Sequence, residues 1–464
     1  MKRLMLLGLA ALSASLLCAK DMYWIGGTSG TWSATTWADI NGKTEDPTTG
    51  NYVCYVTNTT PVTITVPGAG RTICRLVFTG ANHCISGGNS PLKFNNNTSY
   101  AELTYAGVDV AEGLTVTFDN KECVPTADLG KTFTKFGGGQ LVLSKRLGTA
   151  SARFLTVDVR VGSVLVDSAQ EGAIAASNCV LAADTVFETS AAAPFAVGTI
   201  VEGEGRFVKT GASATLALTG DGFRVTGPVI LAEGTVEAGS DTDGNDATGL
   251  KSAASLEIAP GATLSLRNYS NDVWTASTPI RSVGDIIQNG HGTWTIGSLT
   301  MTGGTFTVAA ESAATNLVFA GGVFSNATYT VGSTDLQTTF AGCDFYPNGI
   351  LLADANRTYL QTGGRVVSCL QANGASCLNE IFYTMTGGEL LSFADGRYPQ
   401  GVGLDLSGAA RAELRCTGSF YHRLASGSVS HTIRLRDDAV LSLDFLQLGE
   451  NACDATGTIR LDGG

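Results

Sequence analysis

The sequence predicts an all-β chain, a right-handed parallel β-helix (β-solenoid) with an N-terminal β cap region, and three observations carry that prediction. First, the composition is rich in turn and strand formers: 58 of 464 residues are glycine, 44% are hydrophobic and only 15% are charged, against about 7% glycine and about 25% charge in ordinary soluble domains. Second, a glycine followed by a short alternating strand recurs, as in Gly139-Gln-Leu-Val-Leu143, Gly162-Ser-Val-Leu-Val166, Gly234-Thr-Val-Glu-Ala238, Gly261-Ala-Thr-Leu-Ser-Leu266 and Gly304-Thr-Phe-Thr-Val308. Third, from residue 300 glycines recur at Gly304, Gly322, Gly342, Gly364, Gly388 and Gly408, separated by 18, 20, 22, 24 and 20 residues. One turn of that length cannot bury its own apolar face, but stacked turns build a continuous core that escapes the size limit of a single globule.

Residues 1–19 read as a secretory signal peptide. Lys2 and Arg3 precede an apolar run from Leu4 to Leu17, small residues follow, and cleavage is expected after Ala19. The run falls short of the roughly 20 residues that span a bilayer, so the mature chain is expected to have no membrane span. Cys18 offers a lipid-attachment alternative, against which Leu17 stands where a small residue is usual. The mature chain keeps ten cysteines, an even number that export allows to pair. Cys54 and Cys74 are 20 residues apart and Cys343 and Cys369 are 26 apart, about one coil. Each pair is therefore expected on adjacent coils, within the roughly 4.4–6.8 Å between Cα atoms that a disulfide tolerates. The competing reading is that the cysteines are buried small hydrophobes.

Residues 20–130 form the N-terminal cap or first coils, with irregular spacing and four cysteines, and a separate sandwich-like unit is the rival reading there. Trp24, Trp32 and Trp37 fall together. Exposed, they would make a platform on which sugar rings stack; buried, they would plug the open end of the core, and the plug is the preferred reading. Residues 131–464 carry the solenoid repeats. Alternation puts Leu141 with Leu143, Leu264 with Leu266, and Phe306 with Val308 on inward faces. One helix is expected, near Ser168 to Ala183.

Chemistry-bearing candidates are few. "SDTDGND" at 240–246 gathers Asp241, Asp243, Asn245 and Asp246, oxygen ligands for a Ca2+ ion. Asp246 sits where an EF-hand loop needs glycine and Ser252 where it needs a bidentate glutamate, which favours a solvated acidic turn. No other cofactor is expected. In "HTIRLRDDAV" (431–440), Asp437 and Asp438 are the best enzyme candidates. Glycoside cleavage needs two carboxyls about 5–9.5 Å apart around one bond. Neighbours in a strand point to opposite faces, so a turn is expected there and no enzyme. No G-x-S-x-G, H-E-x-x-H or phosphate-cradling loop occurs. A net charge of −12 without a basic cluster argues against nucleic acid.

"FVKTGASATLALTG", followed by "VILAEGTVEA", resembles the autotransporter-associated β-strand repeat. Lys209, Thr210, Gly211, Thr215, Leu216, Leu218 and Gly220 match its Lys-Thr-Gly opening and first strand, and Gly234, Thr235 and Val236 match the second. The stretch from Lys135 to Val166 is a divergent copy, with Phe136 for the threonine and Gly162-Ser163 for Gly-Thr. "YWIGGTSGTWSATTW" is similar to the opening found ahead of such repeats, through Trp24, Gly26, Gly27, Trp32 and Trp37, with Thr36 in place of the usual asparagine. The resemblance covers about a third of the chain. It implies a β-helical bacterial protein, secreted or displayed at the outer membrane or cell surface, whose repeats form a scaffold without catalytic residues. The expected function is an adhesin-like or passenger-like scaffold that offers its loops to extracellular glycans or to host and matrix proteins, many weak contacts adding up along the repeats. Its rivals are a β-helical carbohydrate-active enzyme, a polysaccharide hydrolase or lyase, and a purely structural stalk. Because "GTIRLDGG" stops at a glycine turn in mid-cadence, the chain is expected to continue beyond it.

Overall fold

A computed structural model describes residues 20–462 apart from 49–51, 88–89, 96–104, 120–121, 129, 168–171, 219–221, 240–246, 269–273, 333–334, 354–356, 373–380, 395–399, 402, 417–421, 424, 427–428, 445 and 448–457. The protein is a parallel β-solenoid. Among the described residues helix is limited to short 3-10 turns, such as Ala247–Ser252. The chain packs as two compact units, one of residues up to Thr185 with Ala193–Thr199, the other of Val186–Ala192 with residues from Ile200 onward.

In the first unit the strands Lys20–Trp24, Tyr52–Val56, Arg75–Phe78, Ala106–Val110, Thr132–Phe136, Phe154–Val159 and Ala176–Leu181 pair in parallel, each with the next. A second parallel ladder runs from Ser29–Thr31 to Ser163–Val166. A third joins Arg71–Ile73, Leu92–Phe94 and Cys123–Pro125. Parallel pairing thus begins with the first described strand and passes residue 130 without a break. On the outer edge of that strand, Trp37–Ala38 pairs antiparallel, which covers backbone groups that would otherwise be open to another chain.

The second unit repeats the plan. One ladder climbs from Arg206–Lys209 through Ile280–Ser282 and Arg365–Ala372 to Val440–Leu443. The glycine phrases noted in the sequence align in space as they align on paper. Gln140 to Leu143 face Ser163 to Val166, and Thr235 to Ala238 face Thr263 to Leu266, in unbroken register. Inward positions stack into columns, such as Met301, Phe324, Phe345 and Val366. Rings follow the columns: Phe324 and Phe345 stack at 4.4 Å between centroids.

The glycine cadence sets the corners. Five of its six members have positive φ, from 59° at Gly408 to 96° at Gly322. At Gly322 a Cβ would also lie 2.1 Å from the Leu299 carbonyl oxygen of the preceding coil. Conformation and the close approach of two backbones both demand glycine there.

The repeat lysines have a structural task. Lys135 and Lys209 are fully buried. The Lys135 ammonium donates to the carbonyls of Phe136 (2.9 Å) and Gly137 (2.7 Å) in its own turn and of Val161 (3.1 Å) in the next coil. Lys209 donates likewise to Thr210, to Gly211 at 3.0 Å and to Glu233 at 3.5 Å. Gln361, also before a glycine turn, does the same to Gly363, Gly364 and Glu389. Corner carbonyls that turn inward need a donor, and a buried polar side chain supplies it. Burial pushes Lys135 down to about 8, against a weaker upward pull from Asp109, and lowers Lys209 in the same way.

Two expectations are corrected. The helix near Ser168 to Ala183 is not formed where the chain is described: Ala176–Leu181 is a strand, with Cys179 and Leu181 facing inward beside Val157 and Val159. Pairing with the preceding coil overrides the alanine-rich composition. The disulfide pairs also fail on register. Cys54 stands opposite Leu76, two positions past Cys74, so their Cα atoms are roughly 8 Å apart at ~4.8 Å between rungs and ~3.3 Å per residue. Cys343 precedes Asp344, which faces Arg365, so its place on the next coil is taken by Gly364, and Cys369, opposite Ile350 of the strand Ile350–Ala353, lies five residues farther on. Five residues put the two cysteines roughly 16 Å apart along the strand, beyond disulfide reach. No disulfide is closed among the described residues. Cys54 and Cys179 are buried thiols, and burial drives Cys179 up to about 12.

Candidate functional site

The tryptophans occupy the first coils. Trp24 is 5% exposed and Trp32 and Trp37 are fully buried. Trp37 packs edge-on to Trp24 at 5.3 Å and tilted against Trp32 at 4.7 Å between centroids. The local sequence explains the packing. The Trp24 ring lies over Gly26, where a Cβ would stand 2.5 Å away, and its indole N–H donates to Gly27 O at 2.9 Å. Arg71 clamps the segment, holding Asp46 in a fork at 2.9 and 2.7 Å and donating to Trp32 O at 3.1 Å. The three rings are packed edge-on and tilted within the core, and burial leaves none of them an open face for a sugar.

The acidic loop with Asp241, Asp243, Asn245 and Asp246 lies outside the described residues. Elsewhere among the described residues, no group of three or more His, Cys, Asp or Glu side chains converges on a metal position. Asp437 and Asp438 sit in the turn between Thr432–Arg436 and Val440–Leu443. Asp437 has φ of 57°, and its carboxylate accepts from Gly408 N–H at 3.3 Å. The carboxylate therefore fastens one coil corner to the next. Beside it, Arg436 grips the largely buried Asp405 through a fork, Nε donating to Oδ1 at 3.1 Å and Nη2 to Oδ2 at 2.7 Å. These charges staple neighbouring coils.

The outward face of the long ladder in the second unit holds a different arrangement. Because the rungs are in register, outward residues line up in a column: Ile230, Glu257, Arg281, Thr300 and Val323. A shallow cavity of about 360 Å3 opens over these coils, lined by Ile230, Glu257, Arg281, Val283, Thr300 and Thr302. Glu257 is half-buried, Arg281 is exposed, and Val283 is 43% exposed. A carboxylate and a guanidinium fork one rung apart stand beside a small apolar patch. That pairing suits a ligand with hydroxyls on its edge and C–H groups on its face, as a sugar ring has. Glu257 is the one carboxylate among the lining residues.

Reading the sequence strand by strand missed this site, since no member belongs to a local motif. The signal that could have found it is the coil period itself: Glu257, Arg281 and Thr300, 24 and 19 residues apart, each stand three or four residues before a glycine, Gly261, Gly284 and Gly304. No family model matches the chain, and neither a curated protein nor a solved structure matches it.

Proposed function

We propose that this chain is a secreted or surface-displayed β-solenoid scaffold, adhesin-like in use, that binds extracellular glycans on the outward face of its second unit. The observation that carries the reading is the column of Ile230, Glu257, Arg281 and Thr300 over one shallow cavity. A linear polymer laid along the stacking direction meets one outward residue at each ~4.8 Å rung, so weak contacts add. Export rests on the leader-like residues 1–19 and on the resemblance of Lys209 to Val236 to passenger repeats. The single lining carboxylate supports binding over hydrolysis, which in its usual form employs two.

Isothermal titration of the chain from Lys20 onward with neutral and uronic-acid oligosaccharides tests the reading. Binding is expected, and Arg281→Ala and Glu257→Gln should each weaken it about 10- to 100-fold, the value of a hydrogen bond to a charged group. Absence of binding across the panel, or binding that neither substitution changes, contradicts it. Release of shortened sugars would replace it with the enzyme reading.

A further inference from the structure

Farther along the same ladder, the outward column reads Val323, Asp344, Arg365, Glu389, Arg411, Val440, each residue in register with the next. The sequence of characters is apolar, minus, plus, minus, plus, apolar. Read backwards with the charges exchanged, it is the same. From this symmetry we infer that the face is a docking surface for a second copy of this chain, the two stacks running antiparallel about a two-fold axis that lies along the strands between the Arg365 and Glu389 rungs.

Such an axis reverses the order of rungs and leaves the position along each strand unchanged. Asp344 then meets Arg411 of the second copy, Arg365 meets Glu389 of the second copy, and Val323 meets Val440 of the second copy. Both copies share one rung spacing, ~4.8 Å, so matching one pair matches all of them. The interface is isologous and closes at two subunits. The next outward column agrees: Val367 and Leu391, adjacent in register and half-buried, would cover one another across the axis. Tyr346 would meet Glu413, a hydroxyl donor against a carboxylate.

The residues are available. The Arg365 and Glu389 side chains are 49% and 64% exposed, Arg411 is exposed, and Val323 and Val440 are 37% and 45% exposed. Within one copy Arg365 and Glu389 approach only to 3.8 Å, which leaves their hydrogen-bonding capacity free for a closer partner. The competing two-fold, along the stacking direction, would lay Asp344 on Asp344 and Arg365 on Arg365. Like charges face to face reject it, so the column specifies orientation as well as partner. Six rungs span only ~24 Å, and exposed ion pairs contribute about 0–1 kcal/mol each, so the dimer is weak and salt-sensitive.

Sedimentation velocity on the chain from Lys20 onward, over a concentration series at low and at high salt, provides the test. A monomer–dimer shift is expected at low salt and its loss at high salt. Arg365→Glu and Glu389→Arg should each weaken the dimer about tenfold or more, because each sets two like-charged contacts across the axis. The double exchange Arg365→Glu with Glu389→Arg should restore it, since the column stays self-complementary. A chain that remains monomeric at low salt overturns the inference, as does a dimer indifferent to the single reversals. A double exchange that folds with the parent's melting profile yet does not dimerise overturns it as well.

Discussion

At the scale of single residues, the fold is held by buried polar side chains that are positioned by hydrogen bonds to backbone and shifted in pKa by burial. His83 is 3% exposed. Its Nδ1 accepts from Val62 N–H at 3.2 Å and its Nε2 contacts Thr79 O at 3.0 Å, an arrangement that only the neutral Nε2–H tautomer satisfies. Burial lowers its pKa below the ordinary 6.5. The folded state then binds fewer protons than the unfolded one, so the stability His83 contributes is present above pH 6.5 and is lost as pH falls through the lowered value. Chemical denaturation at pH 7.5 and pH 5 should show the parent losing its advantage over His83→Gln on acidification. Lys135 runs in the same sense at the other end of the scale, with its folded pKa near 8 against the ordinary 10.5. Its charged form is the disfavoured one, so stability rises as pH climbs from about 8 to about 10.5. Lys135→Met should remove that slope and fold, because Met301 and Met385 are buried before their own Thr-Gly-Gly turns. Lys135→Ala should cost about 2–4 kcal/mol, through the cavity and the carbonyls left without a donor.

At the scale of the coil, glycines and stacked rings divide the work: glycines let backbones approach, and rings fill the space between ladders. Gly322→Ala is expected to destabilise by about 1–3 kcal/mol more than Gly261→Ala, which shares a positive φ but has open space around its Cβ position. Phe345→Ala, in the stacked column, should cost about 3–5 kcal/mol by thermal unfolding. Much at this scale was legible in the sequence. Period-two alternation after each glycine places Leu141, Leu143, Leu264, Leu266, Phe306 and Val308 inward, and all six are buried. The cadence was legible because a coil corner is a local demand that glycine meets at least cost, with Asp437 a rare substitute at φ of 57°. Pairings between coils were not legible in the same way. Cys343 and Cys369 have a plausible separation in sequence, yet their 26 residues overshoot the 21-residue coil from Asp344 to Arg365, and that sets one five positions past the other along the strand. Spacing counts residues, whereas register counts rungs. The stretch 173–183 failed for a related reason: its five alanines suit a helix in isolation, and only pairing with the neighbouring strand Phe154–Val159 makes Ala176–Leu181 extended.

At the scale of the whole unit, stacking creates order at long range, with residues about 20 positions apart in sequence adjacent in space and all pointing the same way. The candidate cavity at Glu257 and Arg281 and the self-complementary column from Val323 to Val440 both follow from that order. Neither site exists if the register slips, because a shift of one residue turns every outward side chain inward. The direct measurement is a set of spin-label distances by double electron–electron resonance, at high salt, from position 281 to positions 344, 365, 389 and 411 in turn. In-register stacking predicts roughly 14, 19, 24 and 29 Å between backbone positions, a rise of ~4.8 Å per coil. Distances that fail to climb in equal steps along that series would contradict the solenoid register, and with it both proposed surfaces.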